Sequence, residues 1–457
     1  MKRYVSAAVA GVVLLALAPT ASAATPSGGT ARALVLAQDT TDLADEAAAD
    51  DTERPKRFRV KEGVLFNHPF NDQRVIHAKM IRVINHAQKG AVIRSMSWNF
   101  QDTSIRNALI RAHKRGVAVR FIMARSLRNA GFNQLTNALK KGNKKRPQAR
   151  RSWTGTCSHS CRGKGGSMHS KWITVSQSGR SHNIVMQGSA NLTSSAAVNQ
   201  WNDWYTVKDK KIFDAYAKVF EQSRKDRKVK PFQVRSGNTL AWFAPTGKKP
   251  DLVLKLLNQV KCKGARGAGI NGRTSIRVAS AVIQEERGQR IASKLNELHN
   301  KGCNIRMVYT LSSLNVLKAL GNVPVRHLAY DTKPAGGDGS YDDYLHMKAM
   351  AISGHMGSNR GARVVFNGSA NWSTMGKVSD EQGMVIRSQP LEKQYGKWIT
   401  KLYQNAPKAA STTDEGGTDT GLETTTRSYF RSQGLKDPYA GLELELEGIT
   451  AEDLAGN

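Results

Sequence analysis

The sequence predicts an α/β protein built from two similar halves, each a mostly parallel sheet flanked by helices. Three observations carry this. Strand-like and helix-like segments alternate through residues 58–405, and the alternation argues for layers of helices on a sheet. The alternation runs through the same order twice, with a division near residue 235, so the halves are expected at 58–235 and 236–405. Each pass ends in a strand–turn–strand pattern that carries the same ordered set of polar residues.

In chain order, the first segment is a leader. Lys2 and Arg3 precede a largely apolar run from Val5 to Ala18, and Ala21-Ser22-Ala23 supplies the small residues of a cleavage site. That layout predicts a signal peptide over 1–23 and a secreted protein. The apolar run falls short of the about 20 residues that a membrane span needs, which leaves a retained anchor as the lesser alternative. Residues 24–57 are acidic and of low complexity, as are residues 406–457, and both flanks are expected to be disordered. The first half opens with Val64-Leu65-Phe66-Asn67. A helix is expected from Val75 to Gly90, a strand over 91–98, a helix ending at Gly116 and a strand over 117–124. The second half opens with Leu240-Ala241-Trp242-Phe243-Ala244. It continues with a helix over 251–260, a strand over 275–283, a helix ending at Gly302 and a strand over 305–310.

Charge is concentrated in this repeated core. The chain of 457 residues carries +33, yet residues 55–405 hold 61 Lys and Arg against 19 Asp and Glu, a formal charge of +42. A field of that sign draws in polyanions, so the partners implied are a phospholipid or membrane surface, nucleic acid, or an acidic wall polymer. The four cysteines of an exported chain favour two disulfides. The expected pairs are Cys157–Cys161 and Cys262–Cys303. Both members of the second pair follow helical segments and precede strands, so parallel neighbouring strands would set them side by side at one sheet edge. A zinc site of Cys157, His159 and Cys161 is the rival, with poor spacing and too few ligands.

The repeated set carries the chemistry. The first copy is His169-Ser170-Lys171 followed by Gly188-Ser189-Ala190-Asn191; the second is His346-Met347-Lys348 followed by Gly368-Ser369-Ala370-Asn371. Strand alternation would put each His and its Lys on one face. One imidazole can attack phosphorus and the other can protonate a leaving alcohol at neutral pH. Lys171 and Lys348 can neutralise the non-bridging oxygens, and Asn191, Asn371, Ser189 and Ser369 can donate hydrogen bonds to them. No motif supplies a metal cluster and the core is poor in acids, so metal-independent chemistry with no cofactor is expected.

These motifs resemble those of the phospholipase D superfamily, H-x-K-x4-D followed by G-S-x-N, over most of residues 60–405. The resemblance implies two α/β halves packed about a pseudo-twofold axis, both motifs meeting at their interface, and a covalent phosphohistidine. It favours His169 as nucleophile and His346 as acid, with the reverse assignment open. It also implies an acidic residue some ten positions beyond each Asn that orients a histidine: Glu381 fits in the second half, and in the first Asn202 or Asp203 falls at that place. The superfamily's Asp falls on Ser176 and Ser353 here; since that Asp is mostly structural there, the site is read as intact. With both motifs on one chain a monomer is expected. The activity expected is that of a secreted phospholipase D acting on lipid head groups. The alternatives are an extracellular metal-independent nuclease of the same superfamily and a non-enzymatic polyanion-binding protein.

Overall fold

The computed structural model describes residues 57–247, 249–330 and 343–406. The leader at 1–23, the acidic segment up to residue 56 and the tail from 407 lie outside the described residues.

The first half holds β1 (Gly63–Phe66), α1 (Val75–Asn85), β2 (Val92–Ser97), α2 (Thr103–Lys114), β3 (Ala118–Ala124), α3 (Ala130–Lys140), β4 (Trp153–Cys157), β5 (Lys171–Ser178), β6 (Ser181–Gly188), α4 (Ser194–Val198), β7 (Gln200–Trp201), β8 (Asp203–Lys208) and α5 (Lys210–Ser223). Its sheet has the order β1-β8-β6-β5-β2-β3-β4. The second half holds β9 (Gln233–Ser236), β10 (Thr239–Phe243), α6 (Leu252–Leu257), β11 (Val260–Lys261), β12 (Ser275–Ile283), α7 (Glu285–Asn300), β13 (Asn304–Ser312), α8 (Leu314–Leu320), β14 (Val325–His327), β15 (Ala329–Tyr330), β16 (Asp343–Leu345), β17 (Lys348–Met356), β18 (Asn359–Gly368), α9 (Met375–Val378), β19 (Gln382–Arg387) and α10 (Gln389–Asn405). The order of its sheet is β14-β13-β12-β17-β18-β19-β10-β9, with β11 beside β17.

The two α/β halves are as expected, but the sheets are mixed rather than mostly parallel. Only β2–β3–β4 and β12–β13–β14 run parallel; the remaining pairs of both large sheets are antiparallel. The reason lies in the connections. A helix crossover, as in β2-α2-β3 and β12-α7-β13, returns the chain parallel, whereas a tight turn joins antiparallel strands. The strands on either side of each motif turn, β5–β6 and β17–β18, are hairpins. The first helix also stops short: α1 ends at Asn85, not Gly90. The other two helix ends fall where expected, with Gly116 and Gly302 at positive φ just past the caps of α2 and α7.

Both sheets are covered on both faces. Alternate residues of β5 show how: Ile173 and Val175 pack with α1, α2 and α3, while Trp172 faces the layer that contains α5 and α10. Residues of that same middle layer pack on the inner face of the second sheet, and α6, α7 and α8 cover its outer face. The molecule is therefore a stack in which α5 and α10 lie between the two sheets.

The cysteines pair as Cys157–Cys161 and Cys262–Cys303. Both sulfurs of the zinc alternative are thereby used. β12 and β13 are parallel neighbours, the arrangement that brings the second pair together. Loop-closure entropy makes that bridge the stronger staple. Replacing Cys262 and Cys303 by Ser should cost about 4 kcal/mol of unfolding free energy, against about 2 kcal/mol for Cys157 and Cys161. The loops they close span 41 and 4 residues of sequence separation, and urea unfolding would rank them.

Candidate active site

The two motifs meet where the halves touch, and the contact is the same in both directions. The His169 amide donates to the Asp380 carbonyl at 3.0 Å, and the His346 amide donates to the Trp201 carbonyl at 3.0 Å. Met168 bridges in parallel to Asp380, and Leu345 of β16 pairs in parallel with Trp201 of β7. Each half thus lays the residues before its histidine against the segment following the other half's G-S-A-N. This reciprocity is that of a pseudo-twofold.

The histidines do not sit on strands. β5 begins at Lys171 and β17 at Lys348, so each His lies in the two residues before its strand. The Lys side chains fold back, with Nζ of Lys171 on the His169 carbonyl and Nζ of Lys348 on the His346 carbonyl, both at 2.8 Å. All four residues are buried. Trp98 stands edge-on to His169 at 5.4 Å and takes the Lys171 ammonium over its ring at 5.6 Å.

The orienting partners are exchanged between the halves, and they are unlike. His169 Nδ1 lies 2.8 Å from Glu381 Oε1. His346 Nδ1 lies 3.0 Å from Asn202 Oδ1, which also accepts from the Ser189 hydroxyl at 2.8 Å. Of the two first-half candidates the structure selects Asn202. Asp203 points away and accepts from the Tyr395 hydroxyl at 2.6 Å and the Asn367 amide at 3.3 Å. Full burial raises its carboxyl, opposed by those hydrogen bonds. Asn202-Asp203 and Glu381-Gln382 occupy matching places, so the acid has moved by one position between the halves. Gln382 takes the place of Asp203 and clamps the Lys171 backbone, accepting from its amide at 2.9 Å and donating to its carbonyl at 3.0 Å.

Burial also pushes Glu381 up to about 7, against the opposing pull of Lys171, the Ser369 hydroxyl and Lys348. The neighbouring Asp380 rises to about 7 for the same reason, opposed by Arg162. Asp380 also ties the first disulfide to the site, because its carboxylate accepts from the Cys161 amide.

The G-S-A-N residues have separate structural reasons. A Cβ at Gly188 would stand 2.0 Å from the Asp203 carbonyl oxygen, and one at Gly368 would stand 2.2 Å from that of Gln382. Only glycine lets those strands approach. Ser189 and Ser369 accept from the Asp203 and Gln382 amides at 3.1 Å. Ser369 also donates to Glu381. Asn191 is fully buried, and neither its Nδ2 nor its Oδ1 has a hydrogen-bond partner among the described residues. Thr193, just beyond, caps α4 through the Ala196 amide at 3.1 Å. The two serines at the superfamily's Asp positions satisfy backbone donors: Ser176 accepts from Val92 at 2.9 Å and Ser353 from Gly269 at 3.0 Å. Both lie at the far ends of β5 and β17 from the histidines.

Sequence reasoning missed Asp380 and Gln382. Their signal was present, since Asp380-Glu381-Gln382 aligns with Trp201-Asn202-Asp203, but only contact across the halves gives it meaning.

A family model described as the cardiolipin synthase, PLD-like domain matches residues 80–224 and 269–403, one match in each half. Among solved structures, the chain is similar to polyphosphate kinase from Porphyromonas gingivalis, with 14% identity over 86% of this chain and 54% of that one, at a TM-score of 0.52. It is also similar to phosphatidylserine synthase from Haemophilus influenzae, with 11% identity over 79% of this chain and 92% of that one, at a TM-score of 0.51. The chain spans about half the length of the kinase, and at these identities the likeness is one of fold. A search of curated proteins finds no match.

Proposed function

The chain belongs to the phospholipase D-like family of the cardiolipin synthase PLD-like domain, and we propose that it is a secreted phosphodiesterase that cleaves phospholipid head groups through a phosphohistidine. The observation that carries this reading is the pair of buried histidines held by Nδ1 across the half–half interface. Holding Nδ1 leaves Nε2 of each ring as the nitrogen for the phosphoryl chemistry.

The unlike partners support His169 as nucleophile and His346 as acid. Attack by Nε2 of His169 on phosphorus makes an N–P bond and leaves a cationic ring, and the Glu381 carboxylate at Nδ1 stabilises that charge. The P–O bond to the leaving alcohol breaks, and its oxygen takes a proton from His346 Nε2. His346 has a neutral amide at Nδ1, so nothing there retains the charge of its protonated form. Water then attacks phosphorus, His346 recovers the proton, and the N–P electron pair returns to His169. An alcohol in place of water would give head-group transfer. Lys171 and Lys348 supply positive charge for the non-bridging oxygens.

The +42 core favours the second reading, an extracellular nuclease, since affinity for a polyphosphate backbone grows with the number of neutralised charges. One experiment separates the readings. The purified protein in EDTA is given phosphatidylcholine and phosphatidylglycerol vesicles, and in parallel plasmid DNA. Head-group release lost in both His169→Ala and His346→Ala is the expected result. DNA cleavage without lipid turnover would make the protein a nuclease. Neither activity, with polyanion binding retained, would leave a binding protein.

A further inference from the structure

In each half a nitrogen-bearing side chain lies on the main-chain carbonyl of the G-S-A-N asparagine, and an aspartate holds that side chain in turn. In the first half, His77 on α1 has Nε2 3.1 Å from the Asn191 carbonyl oxygen and Nδ1 3.1 Å from Asp102 Oδ2. Both ring nitrogens face acceptors. Asp102 also accepts from Arg74 at 2.7 Å and caps α2 through the Ile105 amide at 2.9 Å. In the second half, Arg287 on α7 donates from Nη1 to the Asn371 carbonyl at 2.6 Å and to the Ser373 carbonyl at 3.2 Å. Its Nε donates to Asp251 Oδ2 at 2.5 Å, and Asp251 caps α6 through the Val253 and Leu254 amides at 2.8 and 3.2 Å.

α1 and α6 hold matching places in the two halves, as do α2 and α7. The nitrogen-bearing side chain and the acid have therefore exchanged helices. In the first half His77 is on the first helix and the acid caps the second; in the second half the acid caps the first helix and Arg287 is on the second. Only the aspartate is common to the two; its partner differs and the places do not correspond, yet both arrangements end on the same backbone atom. Helix capping accounts for the two aspartates, but burying their polar partners costs desolvation that apolar packing would avoid, so support of the fold alone is weak ground for two such pairs. The Asn191 side chain gives a stronger one. It is buried and unpartnered among the described residues, a costly state unless a bound group completes its hydrogen bonds.

We propose that His77 and Arg287 are positioning residues that fix the Asn191 and Asn371 amides for the phosphoryl oxygens by gripping those two carbonyls. This rests on reading the site as a phosphodiesterase centre. The pairs do not touch substrate; they set the backbone from which the amides project. A misplacement of a fraction of an ångström to 1 Å there should slow turnover by about 10- to 100-fold.

The test is a double-mutant cycle on turnover of bis(p-nitrophenyl) phosphate, with thermal unfolding recorded for every variant. His77→Ala is expected to lower kcat by about tenfold or more with KM little changed. In an Asn191→Ala background it should add almost nothing, while in an Asn371→Ala background its effect should persist in full. Arg287→Met should show the mirror pattern, with Arg287→Lys recovering part of the loss because it keeps a donor. Should His77→Ala fail to fold, His77→Gln and Asp102→Asn carry the same cycle. Losses from His77 and Asn191 that multiply, or His77 variants as fast as the parent, would overturn the proposal. Turnover that survives His169→Ala would instead overturn the reading of the site, and the proposal with it.

Discussion

His169→Ala should lose about 10³-fold or more in turnover of any phosphodiester that the protein accepts, because in the proposed mechanism it removes the group that bonds to phosphorus. His346→Ala should behave differently when the leaving group is a phenolate that needs no proton. Attack by His169 then proceeds, a burst of phenol equal to the enzyme appears, and the cycle stalls with no base to activate water. Acid-labile, base-stable phosphate should then be found on residue 169 by mass spectrometry. The ground for this difference is the pair of partners, a carboxylate 2.8 Å from His169 Nδ1 and an amide oxygen 3.0 Å from His346 Nδ1. Phosphate recovered on His346 in the parent or in His169→Asn would reverse the two roles.

Glu381→Gln is expected to lower kcat by about 10²-fold or more while keeping the shape of the site. Gln is nearly isosteric, so the contacts to His169 and Ser369 can persist. Only the charge is lost, and the molecule already shows the neutral arrangement at Asn202. The pH profile separates charge from geometry. Burial raises Glu381 to about 7, so below that pH it carries a proton and no longer stabilises a cationic ring. Activity of the parent should fall as the pH drops through about 7, and Glu381→Gln should lack that limb. The sign for stability is opposite. The fold binds this proton more tightly than the unfolded chain does, so its ionisation costs stability as the pH rises from the ordinary carboxyl range to about 7. Glu381→Gln should therefore be at least as stable as the parent at pH 8 by thermal unfolding. A variant with reduced kcat but an unchanged acid limb would show that another group, such as Asp380, sets that limb.

The sequence by itself determined the duplication, the α/β class and the polar residues that the interface gathers, and it favoured the cysteine pairing that the structure shows. These are local or periodic properties. Two strand–helix–strand runs, two H-x-K segments and two G-S-A-N turns can be read without knowing what they touch. The parallel share of the sheets was overestimated because the crossover units have the strongest pattern, whereas hairpin strands and the short edge strands leave a weaker one.

Tertiary structure alone decided the partners. His169 and Glu381 are 212 residues apart, and His346 and Asn202 are 144 apart, with each pair joining opposite halves. No spacing within one half reveals such an exchange. The choice of Asn202 over Asp203 was closed to the sequence for another reason. Neighbouring residues of an extended chain point to opposite sides, so one reaches the histidine and the other meets Tyr395 in the core. The position of the segment against the other half decides which, and that is fixed by how the two sheets pack on α5 and α10. The supports of Asn191 and Asn371 were hidden in the same way, because Asp102 and Asp251 each cap a helix of their own half and nothing local points further. Their second task appears once folding brings His77 and Arg287 against them.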